Sequence, residues 1–524
     1  MQQNNIKQSL ISEIKKRVQD KILEPTNANL LEKLINNADS SDEAIQIAAL
    51  GTTYKRTGLH FDKKLEKLGN TIKYFKKNEK LSFHTDYTKP ANKLIIGDNY
   101  DALQNLLIEY KAKINVIYID PPYGKDSMGE FAKTNYENAI TRDNLLSMLY
   151  PRLTLAKELL SDDGVIFCSI DDKNQAYIKC LFDEIFGEEN FVATFIWRKT
   201  SNPNTTGNNI GIEHEYVHCF SKSSEYMLRG LPLDEKDSEK YVGKDEYFDV
   251  RGAYKIVGLN KTGTVNDLRP NLTYDIKAPD GSIIKPNPRW RWSKEKLEKG
   301  IEENRIVFNN FKGKWTVSYK QYLNEDTNGE FIKREKLIKT ILDSYGRTTD
   351  GTSEITELLG KGKFDFPKPT ELLKILFYIA SNPNSIILDF FAGSGTTGHA
   401  ALDLNEQDGG NRTFILCQLN EKTPTTPNGI AYDVTSKRLK RIMTGSCYDG
   451  STDFAWNKNH KSYGGNLDVY EIAEVSNFES VNGKTPFEVI DETLYGKEKF
   501  STIKEKIEWI CSNFDKTQKY LEEK

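Results

Sequence analysis

The sequence has little cysteine, and none of it is arranged for chemistry. Its six cysteines, at 168, 180, 219, 417, 447 and 511, form no Cys-x-x-Cys pair and no Cys/His cluster at zinc-ligand spacing. That leaves no basis for a structural metal or a disulfide framework and fits a reduced compartment. Long apolar runs are missing too. No window is long enough to span a bilayer, and the opening "MQQNNIKQSLISEIKKRVQD" lacks the apolar centre of a secretory signal. An excess of charge of either sign is missing, with 73 Lys and Arg against 76 Asp and Glu and a net of -3. Bulk charge therefore announces no nucleic-acid partner, although binding needs only a local basic surface. There is no Gly-x-x-x-x-Gly-Lys-Ser/Thr phosphate loop, which excludes that mode of ATP binding. What is left is a soluble, cytoplasmic chain without a membrane partner. At 524 residues, it is long enough for two to four domains.

Apolar periodicity divides the chain. Residues 1–85 carry Leu and Ile at helical spacing, as in "LISEIKKRV", and predict a helical N-terminal region. From 86 to 197 short apolar strands alternate with helices: "KLIIGDN", "YDALQNLLIEYK", "INVIYID", "TRDNLLSMLYPRLTLAKELL", "DDGVIFCSIDD" and "QAYIKCLFDEIFG". That rhythm predicts a parallel α/β sheet. Pro151 is expected to kink or split its helix, and Gly187 to end the following one. Residues 198–360 break the rhythm and read as an inserted domain, with a hairpin turning on Asp280-Gly281. The α/β pattern resumes over 361–445. The stretch 446–524 is an irregular C-terminal region closing in a helix over 501–524, a candidate association element.

Three predicted strands end in a carboxylate: Asp98, Asp120 and Asp389. In open α/β sheets ligands bind outside the carboxyl ends of the strands, so these tips mark one crevice. Carboxylates crowded there are costly unless they hold a polar or cationic ligand. After Asp389 comes "FFAGSGTTG", in which Gly393 and Gly395 let a backbone approach a ligand ahead of a helix N-terminus. A tight strand–helix turn without any ligand would use the same glycines. At Asp120-Pro121-Pro122-Tyr123 the prolines fix two φ angles and extend the residue before each. The Asp120 carboxylate and the Pro121 carbonyl become two preplaced acceptors, and Tyr123 an aromatic plane. Two acceptors match the two N–H groups of an exocyclic amine.

DPPY followed well downstream by "DFFAGSGTTGHA" resembles the DNA amino-methyltransferases that use S-adenosylmethionine. The order of the parts, with target motif, insert, "FPKPTELL" and then Gly-rich turn, is the circularly permuted β-class order. "HEYVHCFSK", "LRPNLTYDIKAPDG", "RWRWSKEKLEKGIEENRIVF" and "GTSEITELLGKGKFDFPKPTELL" resemble the modification (Mod) subunits of type III restriction-modification systems, over roughly 90–445. The resemblance implies a Rossmann-like α/β methyltransferase sheet in permuted order. An inserted target-recognition domain and helical additions at both ends would complete it.

It further implies methyl transfer to N6 of a flipped-out adenine in double-stranded DNA, without a metal. Asp120, Pro121, Pro122 and Tyr123 match the catalytic motif. Asp98, Asp389, Phe390, Phe391, Gly393, Ser394, Gly395 and Thr396 match the cofactor site, and Lys368, Pro369 and Leu372 the segment closing over the cofactor's methionine end. Gln418 stands where many relatives carry an acidic residue for the ribose. Arg198, Lys199, Arg289, Trp290, Arg291 and Lys294 are candidates for DNA contact, with Trp290 and Trp292 equally open to a core role. A homodimer and a separate restriction subunit, with ATPase and nuclease activity, are implied partners. Three rivals stay open: a cytosine-N4 methyltransferase, whose motif usually begins with Ser; an RNA or protein-glutamine methyltransferase, usually unpermuted; and a catalytically silent recognition subunit.

Overall fold

The computed structural model describes residues 2–19, 23, 25–50, 71–123, 141–202, 210–226, 228–261 and 269–476. Two compact units emerge, one comprising Met1–Leu228 with Lys339–Lys524 and the other Arg229–Ile338.

In the first unit, helices α1 (Gln2–Gln19), α2 (Pro25–Asn37) and α3 (Ser41–Leu50) pack around Ile14, Ala28, Leu31, Ile35 and Ala44. The chain then runs β1 (Thr71–Lys77), β2 (Phe83–His84), β3 (Ala91–Ile96), α4 (Asn99–Tyr110), β4 (Ile114–Ile119), α5 (Thr141–Leu159), β5 (Leu160–Ile170), α6 (Gln175–Phe186), β6 (Phe191–Arg198) and β7 (His214–Ser221). After the second unit come β8 (Ile341–Leu342), α7 (Thr348–Leu359), α8 (Thr370–Ala380), β9 (Ile386–Asp389), α9 (Thr396–Asp408), β10 (Thr413–Gln418), α10 (Ser436–Thr444) and β11 (Asn466–Ser476).

Among the described residues these strands form one eleven-stranded sheet ordered β1-β11-β3-β10-β9-β4-β5-β7-β6-β8, with β2 paired to β11. From β11 to β5 all neighbours are parallel; β7 runs antiparallel to β5 and β6. Buried parallel strands need apolar side chains on both faces, and Val116, Ile117, Ile119, Ile387, Leu388, Ile415 and Leu416 are all enclosed. The chain leaves β4 toward β5 but leaves β9 toward β10. The β4/β9 boundary is thus the switch point of a doubly wound, Rossmann-like sheet, the place where open α/β sheets bind their ligands.

Several elements differ from expectation. Thr71–Lys77, inside the predicted helical region, is a strand pairing antiparallel with β11 from the far end of the chain. The helix α5 runs unbroken through Pro151. A mid-helix proline costs about 3 kcal/mol, whereas Leu145, Leu146, Leu149, Leu153 and Leu159 are buried on this helix at about 1.5–3 kcal/mol each. Burial wins. The helix α6 does end at Gly187, with φ 98°. The predicted insert at 198–360 is wider than the compact unit of 229–338, because β7, β8 and α7 belong to the large sheet and its helices. The expected helix over 501–524, Cys511 and the side chains opening α5 lie outside the described residues. No described helix is long and apolar enough to cross a membrane.

The second unit holds a three-stranded antiparallel sheet of Tyr254–Gly258, Lys314–Tyr322 and Ile306–Phe311. Its hairpin does turn at Asp280-Gly281, joining Ile276–Lys277 to Ile283–Ile284. Trp290, fully buried, centres its core with Trp292, Leu259, Ile276, Leu297 and Tyr319. The Trp290 indole N–H donates to the Tyr274 carbonyl at 2.7 Å. Trp290→Ala should therefore cost about 3–5 kcal/mol, read as an earlier denaturant transition and faster proteolysis within 229–338. Unchanged stability would contradict this core.

Candidate active site

The Asp120 carboxylate stands where β4 ends and is fully engaged. Lys368 Nζ donates to both its oxygens, at 2.8 and 2.7 Å, and the Tyr123 hydroxyl donates to Oδ1 at 2.6 Å. Lys368 Nζ also lies 2.9 Å from the Tyr123 oxygen and 3.5 Å from Glu215 Oε2. Glu215, on β7, takes Lys199 Nζ on its other oxygen at 3.0 Å. The Tyr123 carbonyl accepts from Asn174 at 2.7 Å, which fixes the far end of the proline turn. Burial opposes the charge on Lys368, but Asp120 and Glu215 outweigh it and hold the ammonium above the ordinary lysine range. Burial likewise works against the Glu215 carboxylate, yet Lys368 and Lys199 bring it below its usual range. For Tyr123, burial and then the two carboxylates push ionisation well upward, so the phenol stays protonated.

Beside β4 lies β9, in register through Ile387 with Val116 and Leu388 with Ile117. This pairing puts the Gly-rich turn after Asp389 next to Asp120. Gly393 and Gly395 adopt φ of 52° and 81°, the left-handed region glycine tolerates best. Gln418 braces the turn, its Oε1 accepting from the Gly393 N–H at 2.6 Å and its amide donating to the Leu419 carbonyl. Asp389 is buried, bonded by the Thr397 hydroxyl at 2.6 Å and the Phe391 N–H at 2.9 Å. Phe390 is buried and Phe391 half-buried.

The Lys-Pro segment is bolted to this turn by side chains that local sequence patterns do not reveal. The fully buried Arg438 donates to Ser394 and Thr396 at 3.1 and 2.9 Å and to Glu354 and Thr370 at 2.9 and 3.2 Å. Thr396 in turn donates to the Lys368 carbonyl at 3.2 Å. Pro369 and Leu372 are buried beside them. Asp98 caps α4 through the Tyr100 N–H and pairs with both its oxygens to Arg152 at 3.2 Å. Asn99 links that cap to the Phe390 carbonyl at 2.8 Å.

The three carboxylates do stand at the ends of parallel strands, β3, β9 and β4, with β10 between the first two, and two of them are neutralised from within the chain. Arg152 neutralises Asp98 and Lys368 neutralises Asp120. Of the other candidates, Arg198 pairs with Glu213 at 3.1 Å and Lys199 with Glu215. In the second unit Arg289 and Trp290 are buried, so the indole belongs to the core and offers no surface to DNA; Arg291 and Lys294 are exposed. Among the described residues no cluster of three His, Cys, Asp or Glu could hold a metal.

Among the described residues no cation pairs with Asp389, and burial pushes its carboxyl up to about 7 despite its two donors. The folded state therefore retains a proton that the unfolded chain, with a carboxyl near 3.9, releases. Stability should fall as pH rises between about 4 and 7, by up to about 1.4 kcal/mol per pH unit, and level off above. Urea unfolding of Asp389→Asn across that window should lack this component, and parallel curves for the two proteins would contradict the assignment.

Comparison with known proteins agrees with this geometry. A family model described as DNA methylase matches residues 114–425, and one described as an uncharacterised conserved protein matches 2–115. The chain is 32% identical over 357 residues to the StyLTI Mod subunit of a type III restriction-modification enzyme from Salmonella typhimurium, covering 63% of this chain and 52% of that one. It is 32% identical to the type II methyltransferase M.KpnI from Klebsiella pneumoniae, over 70% of this chain and 90% of that one. With the type III EcoPI Mod subunit of Escherichia phage P1 it shares 32% identity, over 67% and 62% respectively. The match thus spans only about half to two thirds of the two Mod relatives. The DNA methylase model covers more than half of the sequence, with the target motif at its start and the Gly-rich turn inside it, and the chain belongs to the DNA methylase family.

Proposed function

We propose that this protein transfers a methyl group from S-adenosylmethionine to N6 of an adenine in double-stranded DNA, as the modification and recognition subunit of a type III restriction-modification system. The observation that carries this reading is the pairing of β4 with β9, which sets the two acceptors of Asp120-Pro121 beside the Gly-rich turn.

The residues at the crevice fit the cofactor. The first turn of α9 offers backbone N–H groups, Asp98 is about one third exposed at its strand tip, and Phe391 presents a half-buried ring. Asp389, Phe390, Gly393, Ser394, Gly395, Thr396 and Gln418 shape the turn, while Lys368, Pro369 and Leu372 close its other side. Bound there, S-adenosylmethionine supplies an electrophilic methyl group. The amine of adenine is a poor nucleophile because its lone pair is delocalised into the ring. Hydrogen bonds from its two N–H groups to the Asp120 carboxylate and the Pro121 carbonyl localise that lone pair, and fixed acceptors facing a developing positive charge are electrostatic preorganisation. The base has to leave the duplex to reach Asp120, and Tyr123 provides a ring beside which it can sit.

Target choice falls to the second unit, where the exposed Arg291 and Lys294 are the candidates for phosphate or base contact, with Arg198 and Lys199 on the sheet unit. A homodimer and a separate restriction subunit complete the proposal, supported by the likeness to Mod subunits. Aspartate at the head of the motif favours adenine over cytosine N4.

Asp120→Ala tests the assignment. S-adenosylmethionine should bind with unchanged affinity by calorimetry, while methyl transfer to unmodified DNA falls by about 10²–10³, the cost of losing one preorganised polar group. Retained turnover would sink the mechanism.

A further inference from the structure

The acceptor assigned to the target amine is already taken. Both Asp120 oxygens hold Lys368, and Oδ1 also holds Tyr123. An adenine amino group has to compete with both donors for this carboxylate, on which only Oδ2 keeps an unused lone pair. Lys368 cannot leave for solvent cheaply: it is 9% exposed, and stripping a buried ammonium of its counter-charge costs more than most single contacts provide. Its ion-pair partners are two, Asp120 at 2.7 Å and Glu215 at 3.5 Å. The Tyr123 hydroxyl shows the same pair of partners, with Asp120 at 2.6 Å and Glu215 Oε2 at 3.5 Å. A single oxygen thus faces both occupants of Asp120, just beyond ordinary hydrogen-bond length.

Resting on the amino-methyltransferase reading, we propose that Glu215 is a positioning residue, the second seat for Lys368 and Tyr123 that frees Asp120 when the target amine arrives. Its placement suits that role. It lies on β7, opposite Trp197 of β6, and is itself 9% exposed. A carboxylate so enclosed needs compensation, and Lys199 provides it on Oε1 alone, leaving Oε2 for the site. Two carboxylates face two ammonium groups, so the cluster keeps its charge whichever carboxylate Lys368 occupies. The exchange needs only a shortening of the 3.5 Å contact between Lys368 and Glu215, and it leaves Asp120, whose side chain is 26% exposed, to the N–H donors of the arriving amine. Without Glu215 the same movement would leave an unpaired ammonium.

Glu215→Gln keeps the shape and an acceptor for Lys199 but removes the charge that would hold Lys368. The test is tritiated methyl transfer to DNA from a host lacking adenine methylation, with cofactor affinity and thermal midpoint measured alongside. Turnover should drop by about 10- to 100-fold, the range of coupling between groups in one buried network, with cofactor affinity unchanged. Glu215→Asp, which keeps the charge, should recover part of it. In a Lys368→Met background Asp120 has already lost its main occupant, so adding Glu215→Gln should change turnover by less than about twofold. Turnover of Glu215→Gln within twofold of wild type, or losses that multiply in the double variant as a merely structural defect would, overturns the proposal. Wild-type protein that methylates no DNA would instead overturn the functional reading on which it rests.

Discussion

The ion pair between Lys368 and Asp120 joins two halves of a sheet that the chain builds far apart. Asp120 ends a strand laid down before the second unit; Lys368 precedes a helix laid down after it. The pair is short, bidentate and mostly enclosed. Breaking such a pair by removing one partner typically costs about 3–5 kcal/mol. It also fixes the distance between the proline turn and the Gly-rich turn, since the Lys368 carbonyl is held by Thr396 and the Lys368 ammonium by Asp120. Position and charge are set by the same residue.

Around this pair the crevice is organised by internal counter-charges. Arg152 meets Asp98, Lys368 meets Asp120, and Arg438 with Glu354 ties the Lys-Pro segment to Ser394 and Thr396. Such buried polar networks stiffen a site, although Arg438 Nε finds no hydrogen-bond partner among the described residues. Asp389 is the exception: with no cation beside it among the described residues, it is held by neutral donors and keeps its proton toward neutrality.

What could be read from the sequence was local. An apolar run ending in Asp-Pro-Pro-Tyr, a strand tip followed by Gly-Ser-Gly, and Asp-Gly between two short strands each carry their structural reason within a few residues, and each lies where expected. The rest depends on partners distant in the chain. Thr71–Lys77 is a strand because Asn466–Ser476 lies beside it; lysine-rich sequence gives no sign of that. Glu215 and Arg438 look like ordinary surface charges until β7 is placed beside β5 and α10 beside α7. Trp290 and Arg291 are adjacent in an aromatic-basic stretch, yet the first packs in the core of the second unit and the second, just past the strand end, is exposed. Pro151 reads as a breaker because its cost is local, while the burial that overrides it is tertiary.

In the proposed reaction a base, a cofactor and a carboxylate meet at the β4/β9 boundary. Sequencing of modified bases in DNA from cells expressing the chain tests it most directly. N6-methyladenine at one short recurring sequence, absent from cells without the protein, is the predicted result. N4-methylcytosine at that sequence, or DNA without any new modification, would contradict it.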